Sequence, residues 1–167
     1  QDTQQEANYY FRTGKYVTQY NEDGSINKVE AQFPSQAGFV NESTISRHTI
    51  GNLAGDNLFA SKNGIFALVL SSNVASQERF ARERSKYIKN LILSEDLSQA
   101  KAIVYKDRYY LAVNNKVYVA EAGLKTRQQG DITDFNYEWY VLDNMPVNVW
   151  AVVNDERWFV SPKGSVW

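Results

Sequence analysis

The stretch RYYLAVNNKVYVA, Arg108 to Ala120, decides the fold. It alternates, turns on Asn-Asn and alternates again, which is the pattern of a β-hairpin. Aligned on its turn, the hairpin recurs. NYYFRTGKYV turns at Gly14, NLFASKNGIFAL at Gly64, the quoted stretch at Asn115 and RWFVSPKGSVW at Gly164, in steps of 50, 51 and 49 residues. Five residues before each turn stand Tyr9, Phe59, Tyr110 and Phe159. Two residues after it stand Tyr16, Phe66, Val117 and Val166. Gly and Asn reach positive φ at low cost, as a tight hairpin requires.

Short apolar segments precede three of these hairpins. HTIGNLAGD, AKAIVYKD and VNVWAVVND each end in a polar turn with an aspartate: Asp56, Asp107 and Asp155. The unit reads strand, turn, strand, turn, strand. A fourth strand is expected from NKVEAQF (28–34) in the first unit and from NYEWYVL (136–142) in the third. Four short antiparallel strands per roughly 50 residues is the pattern of a β-propeller blade. Residues 1–167 are therefore expected to form a single mainly β domain of stacked four-stranded antiparallel blades. About three and a half units are present. Completion of the last blade by the N-terminal strands, an arc of a larger ring, and a non-propeller stack or sandwich all remain open.

One segment breaks the pattern. SSNVASQERFARERSKYIKNLILSEDL predicts an inserted α-helix around residues 74–93, capped by Asn73 or Ser76. Phe80, Tyr87, Ile88, Leu91 and Ile92 supply an apolar stripe near helical spacing, and Glu78 and Arg82 an i,i+4 pair. Its outer face would be basic, carried by Arg79, Arg82, Lys86 and Lys89. NEDGSIN (21–27) reads as a hairpin turn and GLKTRQQGDITD (123–134) as a long polar loop. The polar start, residues 1–7, is expected to be disordered. It has no initiator methionine, which suggests a processed chain or a piece of a longer one.

Composition narrows the chemistry. The 167 residues include no cysteine and one histidine, with a net charge of −1. Disulfides, thiol catalysis, thiolate metal sites and His-cluster metal sites are thereby excluded within the chain. Nothing global favours nucleic acid or an anionic membrane, and no stretch reaches the ~18 apolar residues of a membrane helix. His48 has no serine or cysteine motif beside it and reads as a structural or surface residue. Glu95-Asp96 and Asp131 with Asp134 read as solvated carboxylates rather than a calcium loop or a glycosidase pair. SPKGSVW lacks the aspartate of the sialidase Asp-box turn. No cofactor, metal or catalytic residue is expected. Trp139, Trp150 and Trp167, with the basic face, are the candidate interaction surface.

Two stretches carry a resemblance. GNLAGDNLFASKNGIFAL (51–68) followed by ERFARERSKYI (78–88), and DLSQAKAIVYKDRYYLAVNNKVYVAEA (96–122) followed by YEWYVLDNMP (137–146), resemble a pattern in structural virion proteins of tailed bacteriophages and prophages. There a blade strand pair is followed by an Arg-Ser helix and a YYLAVN hairpin. The match spans roughly residues 40–167 and places the Arg-Ser motif on Arg84 and Ser85. The resemblance implies a propeller-like, non-enzymatic module of the tail or neck, located in the virion. Its partners would be other virion proteins or further blades of the same protein. The alternative is a module that binds a glycan or another host-surface group.

Overall fold

The computed structural model describes residues 15–32, 42–70, 79–127 and 134–167. It is mainly β, and every sheet is antiparallel. β1 (Lys15–Tyr20) and β2 (Ile26–Gln32) form a hairpin over the expected NEDGSIN turn, where Gly24 has φ +82°. β3 (Gly51–Leu53), β4 (Asp56–Ser61), β5 (Gly64–Leu70) and β6 (Arg79–Glu83) form a four-stranded meander. β7 (Lys101–Tyr105), β8 (Arg108–Val113), β9 (Lys116–Arg127) and β10 (Phe135–Asp143) form a second. β11 (Val149–Val153) and β12 (Glu156–Val160) form a two-stranded sheet. The described residues close neither a barrel nor a propeller ring, so the expected architecture holds only as antiparallel sheets.

The leading turns follow one rule. Both central residues have positive φ in Ala54-Gly55, Lys106-Asp107 and Asn154-Asp155. That is the primed turn whose twist matches the strands it joins. The three aspartates are consequently not equivalent. Asp107 and Asp155 lie in their turns, whereas Asp56 is the first residue of β4 and is buried.

The alignment on Gly64 and Asn115 is also corrected. Ser61 pairs with Gly64 and Val113 with Lys116, so Gly64 corresponds to Lys116. The positive φ of the second hairpin falls on Asn114. Phe59 therefore matches Leu111, not Tyr110. A slip of one residue exchanges the two faces of a strand, so the aromatic column read through Phe59 and Tyr110 joins opposite faces. Gly14 and the expected disorder of residues 1–7 lie outside the described residues.

The helix around 74–93 is overturned as well. Residues 71–78 lie outside the described set, but Arg79–Glu83 is a strand paired with β5. The free backbone edge of β5 outweighs the helix-favouring composition of RFARE, since propensity is a weak prior against tertiary pairing. What remains helical is a 3-10 turn over Lys86–Ile88 running into α1 (Lys89–Leu93). Of the stripe, Ile88 and Ile92 are buried, while Tyr87 and Leu91 are exposed. The loop expected at 123–134 also shrinks, because β9 runs on to Arg127 and pairs with Phe135–Tyr137 beyond a bulge.

The sheets stack face to face. Leu58, Ala60, Ile65 and Ala67 of the first meander pack with Tyr109, Leu111, Val113 and Tyr118 of the second. The second meander's other face, Tyr110, Ala112, Val117 and Val119, packs against Trp150 and the segment leading to it. Phe59 and Phe66 stack on each other, 6.4 Å between ring centroids, and both are buried. β3 approaches β7 and β8 so closely that a Cβ on Gly51 would lie 2.8 Å from Val104 Cγ2 and 3.2 Å from the Tyr109 ring. Gly51→Ala is therefore expected to cost roughly 1–3 kcal/mol through overpacking, measured as a lower urea midpoint at unchanged m-value.

Candidate functional site: a buried clamp and an open sheet face

The Arg-Ser pair is interior. β6 ends as it turns inward, and Arg84 N donates to Ile65 O while Ser85 Oγ accepts from Ile65 N. Both side chains are fully buried. The Arg84 guanidinium is satisfied on several sides. Nε and Nη2 donate to the two carboxylate oxygens of Asp56 at 2.8 and 3.2 Å, and Nη1 donates to Phe135 O at 3.0 Å. Its carbon lies 3.9 Å from the Phe135 ring centroid. Tyr137 Oη donates to Asp56 Oδ2, and Trp139 Nε1 donates to Arg84 O. Burial, then the Asp56 carboxylate, pushes the Tyr137 hydroxyl far above its usual range, so it stays a neutral donor. This is a clamp between the two meanders; its polar groups are used up by one another.

A second cluster holds the quoted hairpin. Glu95, just after α1, accepts from Asn114 Nδ2, Lys116 Nζ and Tyr118 Oη. Burial opposes its ionisation, but the Lys116, Asn114 and Tyr118 donors together hold the carboxyl below the usual carboxylate range. Its neighbour Asp96 caps the 3-10 turn over Leu97–Gln99 by accepting from Ser98 N. Asp96 is also lowered, by hydrogen bonds from Ser98.

The remaining candidates separate. Arg79 and Arg82 stand on β6, not on a helix, and Arg82 lies over the Phe80 ring at 4.6 Å. Lys86 is exposed on the 3-10 turn, and Lys89 pairs with Glu83 at 3.1 Å. The expected basic helix face is thus divided between a strand and a short helical turn. Trp139 packs edge-on against Tyr109. Trp150 lies between Tyr110 and Phe159, and its Nε1 donates to Lys101 O at 3.2 Å. Neither indole offers its face to a partner. Trp167 does, at 67% exposure, and is held by paired backbone bonds to Phe159. His48 is exposed and accepts from Arg47 Nε. Among the described residues no three His, Cys, Asp or Glu side chains form a metal-binding group, and no helix is long and apolar enough to cross a membrane. Asp131 lies outside the described residues.

Sequence reasoning missed one surface. Register places Val149, Ala151, Val153, Trp158 and Val160 on the side of the β11–β12 sheet opposite Trp150 and Phe159, and Val166 bridges to Val160. Val149 is 50% exposed, Val153 53%, Trp158 37% and Val166 61%. The alternation V-W-A-V-V against E-R-W-F-V carries that signal, because both faces of the hairpin are apolar. Comparison of the chain with protein-family models, with curated proteins and with solved structures finds no match.

Two measurements probe the clusters. Arg84→Met leaves Asp56 buried without its charge partner and is expected to cost about 3–5 kcal/mol, while Arg84→Met with Asp56→Leu recovers much of the loss; urea unfolding of the double-mutant cycle reads both. Glu95 has a lowered folded pKa, so its contribution is present above the unfolded value of about 4.3 and is lost as pH falls through the folded one. Glu95→Gln should therefore reduce stability at pH 7 and flatten its decline below about pH 4.3, followed by urea midpoints across pH.

Proposed function

We propose that the chain is a non-enzymatic scaffold module of a phage or prophage virion, in the tail or neck, built from blade-like β-layers and working through protein–protein contacts. The observation that carries the scaffold reading is the direction of stacking. Leu58, Ala60, Ile65 and Ala67 are covered by the second meander, and the residues 52 positions further on, Tyr110, Ala112, Val117 and Val119, are covered by the next sheet. The same side of both meanders is covered by the sheet that follows. The leading strands support it too, since β3 lies beside β7 and β7 beside β11. Layers that meet in this head-to-tail sense, with their first strands together, support a propeller-like stack.

The chemistry agrees with a scaffold. The described carboxylates whose pKa is shifted, Asp23, Glu95 and Asp96, are all lowered by donors that fix local structure. None is held protonated toward neutral pH, as a general acid would be. The virion assignment rests on the resemblance of residues 51–68 with 78–88, and 96–122 with 137–146, to tail and neck components.

The second reading, a glycan- or host-surface-binding module, is favoured by the exposed Trp167 ring, which could stack on a sugar. Mass spectrometry of gradient-purified particles from the phage or lysogen encoding this sequence separates the readings. Peptides of the chain at a fixed stoichiometry in the tail or neck fraction are expected. Their absence overturns the virion assignment, and glycan-array binding abolished by Trp167→Ala favours the second reading.

A further inference from the structure

We infer that the open face of the β11–β12 sheet, Val149, Ala151, Val153, Trp158, Val160 and Val166, docks a further antiparallel β-layer that presents alternate large apolar side chains. The argument starts from position. In the first meander Ala60 pairs with Ile65, in the second Ala112 pairs with Val117, and here Val160 bridges to Val166. Leu58, Tyr110 and Trp158 stand two residues before the first member of each pair. At the first two places these residues are buried under a neighbouring sheet. At the third, Trp158 and Val166 are open to solvent.

The chemistry of the occupant follows from what covers the equivalent faces. Over Leu58 and Ala60 lie Tyr109, Leu111 and Tyr118, large side chains at alternate positions of two paired strands. Against Tyr110 lie Trp150 and Arg157, whose guanidinium carbon is 3.8 Å from the Tyr110 ring centroid. A helix would meet the pleat with a stripe of period 3.6, whereas both interfaces here are sheet on sheet, which stack about 10 Å apart with interdigitating side chains. Charge is absent from the centre of the open face; Glu156 sits at its turn end. A second copy stacked head to tail would have to meet the far side of the first meander, where Phe59 and Phe66 are already buried.

The inference rests on the layered-scaffold reading but not on the virion. Particles without the chain would remove the virion assignment and leave the following measurement as informative as before. The probe is a cyclised synthetic peptide of residues 108–121, the hairpin that carries Tyr109, Leu111 and Tyr118. It is titrated into the whole chain and followed by NMR of the Trp158 indole and by isothermal calorimetry. Saturable binding is expected. Trp158→Lys and Val166→Lys should each weaken it at least tenfold, and Lys62→Glu should leave it unchanged. Circular dichroism confirms that the variants keep the wild-type fold, which substitutions at exposed positions permit. Absence of saturable binding, or binding indifferent to both face substitutions, overturns the inference. Self-association of the chain that Trp158→Lys abolishes, seen by light scattering, overturns it in favour of a second copy as the occupant.

Discussion

A fully buried guanidinium sets the terms for the rest of this structure. Arg84 binds Asp56 through two nitrogens and Phe135 through a third, and its own carbonyl accepts from Trp139. Asp56 opens β4, Arg84 follows β6, and Phe135 opens β10. One side chain therefore ties the start of β4 and the end of β6 in the first meander to the last strand of the second. Such a pair adds little net stability compared with apolar residues of the same shape, because removing two charges from water is expensive. Its strength is directional: any other relative placement of the sheets leaves a charge buried and unanswered. The apolar contacts of Leu58, Leu111 and Tyr118 supply the area, and the clamp selects one arrangement of it.

Glu95 repeats this division of labour on a smaller scale. Its three donors all come from the hairpin that joins β8 to β9, so the segment after α1 is pinned to that turn. Between them, Arg84 and Glu95 anchor the two ends of the irregular stretch that separates the meanders. A five-residue helix is too short to persist by helical cooperativity, and the segments before and after it are held by these tertiary contacts.

The strands were legible because alternation and turn chemistry act locally. RYYLAV and KVYVAE could be read from their own residues, and so could the fourth strand at 136–142. The register between meanders was not legible to the residue, since Gly64 and Asn115 look alike as turn formers but occupy different places in their hairpins. RFARE misled for a different reason. Its helix propensity is intrinsic, whereas the bare edge of β5 that captures it exists only after the chain has folded. The role of Arg84 was marked by its motif but not by its chemistry, because an arginine in a charged run reads as solvated until a buried aspartate is known to face it. The open face stayed hidden because Trp150 and Trp158 alternate sides, and only the stacking reveals which one is covered.

The charged edge strand β6 has a consequence for how this molecule can grow. A free sheet edge invites another strand, and arginines and a glutamate along RFARE are the residues that discourage such pairing. The broad side of β11–β12 carries no comparable guard. On the layered-scaffold reading proposed above, a further layer adds along the stacking axis, while charge along β6 guards that edge of the first meander against a lateral strand.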